Sequence, residues 1–232
     1  TDSQTAALSF ENGELDIVTL SGNLVEQYED DERFSTRGDG YNWYLCPNME
    51  KKGLDNLNIR MALAKSYDKE AVTTRMLKDG STPMDYFVPV GLAANTKGTD
   101  FRADAGDAYD SWTYDVEKAK ELWKIGLKEA GLSSLELTLM CEDTDSAQAV
   151  AQFLQSEWQT NLEGLKVELQ VLPKKARLEY MQKGEYDVGL TRWGPDYADP
   201  MTDLDMWVTG SSTNYSRFSD KEYDETIKSA KV

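Results

Sequence analysis

The stretch RWGPDYADP, residues 192–200, concentrates residue types that could bind a ligand or carry out acid–base chemistry. Two carboxylates, Asp196 and Asp199, lie three positions apart, and the aromatic residues Trp193 and Tyr197 flank the first of them. The stretch follows a strand-like run at 186–190, and open α/β sheets place ligand clefts at the carboxyl ends of their strands. Three interpretations are open: a structural corner, a pair of catalytic or metal-binding carboxylates, or the floor of a ligand site.

The two carboxylates could in principle supply the acid and the base of glycoside hydrolysis. Pro200 disfavours a regular helix across Asp196 and Asp199, so they are not expected to share a helix face. Because Asp and Glu make up 42 of the 232 residues, a close pair of acids has little diagnostic value by itself. A hydrolase that uses Asp196 and Asp199 is therefore kept as the alternative from a different functional class.

Metal binding is the second possibility, since acidic side chains supply the hard oxygen ligands that divalent cations prefer. The candidates are Asp196, Asp199, Asp203 and Asp205. Their spacing differs from the Asp-x-Asp-x-Asp-Gly loop, and no glycine occupies the required bend. We therefore expect neither a metal nor a cofactor.

A structural interpretation competes with the functional one at each residue of the stretch. Asp199, next to Pro200, could cap a short helix at 201–208, and Trp193 could belong to the core. Asp196 differs from Asp199 because it stands beside two aromatic residues with no lysine near it in sequence. A carboxylate and aromatic rings together could hold a ligand cation.

Composition excludes several other classes of function. The formal net charge is −17, so a nucleic-acid partner is not expected, because phosphate binding requires a basic surface. The sequence contains no histidine, which argues against catalytic triads that need one and against histidine-rich metal sites. The two cysteines, Cys46 and Cys141, form no CxxC motif, and buried free thiols are favoured over a disulfide or a ligand pair.

Hydrophobic periodicity alternates between helical and strand patterns, which predicts an α/β fold. In the first half it predicts a helix ending near Gly13, a strand at 14–18, a helix at 21–31 capped by Ser or Asn, a strand at 41–46, a helix around 59–66 and a helix from Asp68 to Gly80. Residues 81–114 lack a sustained period and are expected to form a long surface excursion.

The second half has the more regular pattern. It predicts a helix from Asp115 to Gly131, a strand at 135–139, a helix at 147–158, a strand at 167–171, a helix from Pro173 to about Gly184 and the strand at 186–190. This alternation is typical of crossovers in a parallel or mixed sheet.

Four motifs, in order, resemble one family. They are NGELD at 12–16, NIRMALAKSYDK at 58–69, YDVEKAKEL at 114–122, and YD at 186–187 followed by WGPDYADP at 193–200 and NY at 214–215. They are similar to motifs of the solute-binding proteins of bacterial peptide importers, the oligopeptide- and dipeptide-binding family of ABC transporters. The similarity extends over nearly the whole chain.

The resemblance implies a fold and a role. The expected fold is one lobe of a periplasmic-binding-protein-like clamshell, with a mixed sheet and flanking helices. Residues 1–232 would form a single α/β domain, the second lobe of a peptide-binding protein, truncated at both ends. The implied protein is a receptor rather than an enzyme, lies outside the cell or in the periplasm and carries a lipid anchor. Its partners are a peptide, the missing first lobe and an ABC permease.

The resemblance also assigns roles to residues. Asp196 would pair with the α-ammonium of the peptide, Trp193 and Tyr197 would line the site, and the backbone from Arg192 to Gly194 would run beside the peptide. Arg192 is one possible partner for the peptide's carboxylate, although its side chain points to the strand face opposite Trp193. Because relatives that bind nickel, haem or sugars share the scaffold, a non-peptide solute remains an alternative.

Overall fold

A computed structural model describes residues 3–20, 22–106 and 113–231. The chain divides into two compact units, Thr1–Arg37 with Asp68–Pro83 and Gly38–Tyr67 with Met84–Val232. Within the described ranges, no helix combines the length and the apolar character needed to cross a membrane.

The smaller unit is helical in the part that the structure describes. It contains α1 (Ser3–Glu11), α2 (Asn23–Tyr28) and α4 (Lys69–Ala71), which continues as a π-helix (Val72–Leu77). Arg33 joins its segments by pairing with Glu11 at 2.9 Å and with Asp31 at 2.7 Å.

Three predictions in this unit are wrong in detail. Residues 14–18 form bends and irregular backbone rather than a strand, and Ile17 is 83% exposed, so the run buries no apolar face that would favour pairing. The helix predicted at 21–31 is shorter, and Gly22 occupies its N-cap position without a side-chain cap; Ser21 lies outside the described residues.

The helix that begins at Asp68 is the third case. Its cap is confirmed, because the Asp68 carboxylate accepts the N–H of Glu70, but the helix ends at Lys78 instead of Gly80. The hydroxyls of Thr73 and Thr74 both donate to the carbonyl of Glu70, at 3.0 and 2.7 Å. These bonds compete for the carbonyl that an α-helix would use, which is consistent with the wider π-helical turn.

The larger unit contains the sheet, and the structure gives the bounds of its elements as follows. The helices are α3 (Leu57–Lys65), α5 (Phe101–Ala105), α6 (Val116–Ala130), α7 (Asp145–Asn161), α8 (Lys174–Lys183), α9 (Met201–Leu204), which is followed by a 3-10 turn (Asp205–Trp207), and α10 (Lys221–Ala230). The strands are β1 (Asn42–Pro47), β2 (Leu135–Glu142), β3 (Leu165–Leu172) and β4 (Val188–Trp193).

The four strands form a mixed sheet in the order β1-β4-β2-β3. Strand β2 pairs in parallel with β3 and with β4, whereas β1 pairs antiparallel with β4, with Asn42 opposite Trp193. Helices α7 and α8 connect the parallel strands, as the alternation of the sequence predicts. The predicted fold class, a mixed sheet with flanking helices, is confirmed.

Both faces of the central strand β2 are covered. Neighbouring residues Leu139 and Met140 point to opposite faces, and neither side chain is exposed to solvent. Helix α7 packs on β2 and β3, and α3 packs on α6. The indole N–H of Trp158 on α7 donates to the carbonyl of Leu63 at 2.9 Å, so it ties the helical layer together. This buried scaffold holds the carboxyl end of β4 in place.

The remaining predictions concern caps, thiols and the excursion. Asp115 and Gly131 bound α6, and Gly184 ends α8, as predicted. Cys46 and Cys141 are buried free thiols, also as predicted. The excursion at 81–114 holds one short helix, α5, in its described part, and residues 107–112 lie outside the described residues.

Candidate functional site

The loop at 194–200 begins where β4 ends and leads directly into α9. The N–H of Asp196 donates to the hydroxyl of Thr202 at 3.0 Å, and the N–H of Met201 donates to the carboxylate of Asp199 at 2.8 Å. Both bonds tie the loop back to the first turn of α9. These two bonds hold the loop through backbone N–H groups, and neither of them uses the Asp196 side chain.

The Asp196 carboxylate is exposed and makes no hydrogen bond or ion pair with any residue that the structure describes. It lies at the rim of a cleft of about 160 Å³ in the larger unit. The cleft is lined by Trp193, Asp196, Tyr197, Thr202, Asp205, Met206, Ser211 and Thr213. An unpaired carboxylate beside two aromatic rings is the arrangement that can bind a cation.

Trp193 lines this cleft, whereas Gly194 and Arg192, which were also predicted to belong to the site, are not among its lining residues. The Trp193 side chain is half-buried, and its indole N–H is a buried donor with no partner in the described part of the chain. A side chain at Gly194 would displace the ring of Tyr41, because a Cβ atom there would lie 2.6 Å from its Cζ. Tyr41 thus covers the backbone at the strand end, and Tyr197 is 52% exposed on the cleft rim.

Asp199 differs from Asp196 in the cleft that it lines and in its hydrogen bonding. Asp199 lines another cleft, of about 210 Å³, together with Ala93, Ala94, Asn95, Phe101, Asp104, Ala198 and Pro200. Its carboxylate accepts the N–H of Met201 at 2.8 Å, but Pro200 occupies the N-cap position and α9 ends at Leu204, so the cap and the helix predicted at 201–208 are wrong in detail. Because the two acids line different clefts, the geometry does not favour a hydrolase that uses them as a pair.

The four acids considered as metal ligands have four different environments. Asp196 is free, Asp199 binds a backbone N–H, Asp203 is buried and Asp205 pairs with Lys231 at 2.7 Å. Across 3–20, 22–106 and 113–231, no three residues of the metal-binding types come together as a ligand group.

Asp203 on α9 is a buried acid that the sequence marked only as one of four possible metal ligands. Its side chain is 0% exposed, and Asn42 Nδ2 lies 3.4 Å from one carboxylate oxygen while it also donates to the carbonyl of Phe87. The second oxygen has no hydrogen-bond partner among the described residues. Burial raises the pKa of Asp203 to about 6, because the charged form loses its hydration.

Replacing Asp203 with asparagine is expected to stabilise the chain at neutral pH. With a folded-state pKa near 6 against an ordinary value of 3.8, the folded state binds the proton more tightly, so stability falls as pH rises from about 4 through 6. Asparagine avoids this cost, which is on the order of 1–3 kcal/mol above pH 7. Urea unfolding at pH 4 and pH 7.5 checks the result: the stabilisation should appear only at the higher pH. The exposed Asp143→Asn variant is the control, and an equal gain in both variants would contradict the assignment.

Arg192 lies over the rings of Trp43 in β1 and of Tyr41, the residue before β1. Its guanidinium carbon lies 4.9 Å from the ring centre of Trp43 and 5.5 Å from that of Tyr41. Neither ring was predicted to belong to the site, although the aromatic run at 41–46 predicted a strand. The sequence does not reveal that β1 pairs with β4, and it is this pairing that places Trp43 opposite Arg192.

Comparison with known proteins identifies the family. The family described as bacterial extracellular solute-binding proteins, family 5 Middle, matches residues 1–215. The chain belongs to this family. The resemblance inferred from the four motifs is therefore confirmed.

Relatives in this solute-binding family cover the whole chain. The chain is 37% identical over 240 residues to the dipeptide-binding protein of Lactococcus lactis subsp. cremoris, and the match covers 99% of this chain and 43% of that protein. It is 32% identical to OppA of Listeria monocytogenes bound to peptide, with a TM-score of 0.90 and coverage of 99% and 48%. The substrate-binding domain of an oligopeptide ABC transporter from Bacillus anthracis is 33% identical, with a TM-score of 0.91 and coverage of 98% and 44%. The chain thus spans less than half the length of these relatives.

Proposed function

We propose that the chain is the second lobe of the substrate-binding component of an ABC peptide importer. In the complete protein, an extended peptide is captured between this lobe and a first lobe and is delivered to a membrane permease. Residues 1–232 act as one lobe in this proposal, and a lipid anchor holds the protein outside the cell membrane. Family membership and the peptide-binding names of the relatives support this role.

The observation that carries the proposal is the free Asp196 carboxylate at the carboxyl end of β4. The carboxylate of Asp199, in the same loop, accepts a backbone N–H. The carboxylate of Asp196 has no partner among the described residues. The carboxylate is exposed in this lobe, and once a second lobe closes over it, it gains most from a ligand cation at a fixed point, such as the α-ammonium of a peptide. In this proposal Trp193 lines a ligand pocket, Tyr197 contacts the ligand, and the backbone of Arg192 to Gly194 lies beside the peptide.

A non-peptide solute with a cationic group is the alternative within the same family. It would use the same carboxylate and the same aromatic wall. The polar lining of the cleft at Thr202, Ser211 and Thr213 suits hydrogen bonds to either kind of ligand. The peptide is favoured because the relatives named above are described as binding dipeptides or peptides.

The test compares a short peptide with its N-acetylated form in calorimetry of the full-length protein. Acetylation removes the ammonium charge and leaves the rest of the ligand unchanged. We expect the free peptide to bind and the acetylated form to bind at least about 30-fold more weakly, as for loss of a buried ionic partner. Equal affinities would contradict the ammonium assignment, and no binding of either form would favour a non-peptide solute.

A further inference from the structure

The cleft that holds Asp196 contains a second acid, Asp205. This residue begins the 3-10 turn after α9, and its side chain is 33% exposed. Among the eight described residues that line the cleft, two are acids and none is basic. Two carboxylates that line one concave space reinforce each other's attraction for a cation, because the surrounding protein concentrates their field.

Asp205 already holds an ammonium group of the chain itself. Nζ of Lys231, the residue after α10, lies 2.7 Å from Oδ1 of Asp205. Lys231 is not among the residues that line the cleft, and Oδ2 of Asp205 has no partner in the described part of the chain. A lysine ammonium therefore fits against this carboxylate, and one of the two oxygens remains open to another donor.

The ion pair between Lys231 and Asp205 is easily opened. The side chains are 49% and 33% exposed, and ion pairs with this degree of exposure contribute little to the stability of a fold. A cationic group of the ligand can consequently share Asp205 with Lys231, or replace Lys231 there, without disturbing the larger unit.

The rest of the lining suits a long side chain with a polar end. The hydroxyl of Thr202 accepts a backbone N–H at 3.0 Å, and the hydroxyls of Ser211 and Thr213 lie 2.9 Å apart in a hydrogen bond. Met206 and Trp193 add apolar surface to these polar groups. Lysine and arginine have the matching construction, since an apolar stem carries their charged head.

The size of the cleft limits what it takes from a peptide. Its volume of about 160 Å³ is below the roughly 300–1,000 Å³ of sites that enclose a whole small ligand, so it has room for one side chain. In the proposed function the α-ammonium of the peptide binds Asp196 at the rim. The side chain nearest to the rim is then that of the first residue of the peptide.

We infer that Asp205 is a specificity-determining residue, which selects peptides whose first residue has a cationic side chain. This inference rests on the proposed function and names the class of peptide that it takes. A peptide that begins with an acidic residue is disfavoured, because its side chain would face two carboxylates.

The test measures the affinity of the full-length protein for three tetrapeptides that differ only in their first residue, which is lysine, glutamine or glutamate. Wild-type protein is expected to bind the lysine peptide about tenfold more tightly than the glutamine peptide, and the glutamate peptide about tenfold more weakly. The same three residues at the third position are the control for attraction by the net charge of −17, and there we expect differences of no more than about threefold.

Three variants assign the preference to a residue. Asp205→Asn is expected to bind the lysine and glutamine peptides within about twofold of each other, and its binding of the glutamine peptide shows that the cleft is folded. Lys231→Gln removes the competing ammonium, so its preference for lysine should rise about threefold, and it tests the inference even if Asp205→Asn does not fold. Glu222→Gln removes an exposed charge from α10 outside the cleft and should keep the wild-type ratio.

The outcomes separate this inference from the proposed function. The inference would be overturned by a wild type that binds the three peptides equally, by an equal preference at the third position, or by a preference that persists in Asp205→Asn or falls in Lys231→Gln. Each of these results still shows peptide binding and leaves the proposed function intact. No peptide binding by the wild type would overturn both.

Discussion

Replacing Asp196 with asparagine is expected to weaken peptide binding by the full-length protein by about 30- to 1,000-fold, which corresponds to about 2–4 kcal/mol. The two side chains have nearly the same shape, so the change removes the charge and keeps the cleft. Because the Asp196 carboxylate has no partner among the described residues, its loss leaves no protein group uncompensated. The cost falls instead on the ligand, whose ammonium is buried without a counter-charge. Calorimetry with a peptide that has a free N-terminus measures the effect.

The matched control for this prediction is Asp199→Asn, three residues away in the same loop. This variant removes an equal charge, but Asp199 faces the other cleft and binds the N–H of Met201. We expect its peptide affinity to change by no more than about threefold and its stability to change little, because the asparagine oxygen can still accept the N–H of Met201. Equal losses of affinity in the two variants would show that general electrostatics, and not a contact at Asp196, governs binding.

The regular elements of the larger unit could be predicted because local pattern and tertiary packing agree there. The alternation of Leu135, Leu137 and Leu139 marks β2, and the caps Asp115 and Gly131 fix the ends of α6. The predictions failed where the local pattern had no packing to support it. Residues 14–18 have the composition of a strand, yet Ile17 remains exposed, and composition alone cannot reveal that no described residue pairs with them as a strand.

The motif at 193–200 predicts Asp196 as a ligand-binding residue and Asp199 as a helix cap. The structure places the two acids on different clefts, and the role of Asp196 in ligand binding stays a prediction. The groups that surround the motif come from distant segments. Tyr41 reaches Gly194 only because β1 pairs antiparallel with β4, and Arg192 pairs with Glu142 because β4 lies beside the end of β2. Neither relation leaves a signal in a single sequence.

Replacing Glu142 with glutamine is expected to destabilise the chain by about 3–5 kcal/mol. The Arg177 guanidinium donates to the Glu142 carboxylate at 2.9 Å and is 1% exposed, so the variant leaves it without a counter-charge in an interior that hydrates it poorly. Nη2 of Arg192 lies 3.6 Å from the same carboxylate, so Arg192 loses its ion pair at the same time, and the cluster of these three residues would hold two positive charges and no negative one. Burial of an unpaired charge is among the most costly changes in a protein, and glutamine can replace only the hydrogen bond. Urea unfolding at neutral pH measures the loss.

The same strand provides the control that separates burial from ion pairing. Glu136 on β2 pairs with Lys166, but both side chains are 62% exposed, and Glu136→Gln should therefore change the stability little. Replacing Glu142 by leucine together with Arg177 by methionine should recover much of the loss, because an apolar pair removes the buried charges instead of separating them. If Glu142→Gln and Glu136→Gln unfolded at the same urea concentration, the cluster would not be a buried ionic network. A large loss of stability in Glu142→Gln alone would show that the fold depends on the Glu142 carboxylate to compensate the buried Arg177 guanidinium.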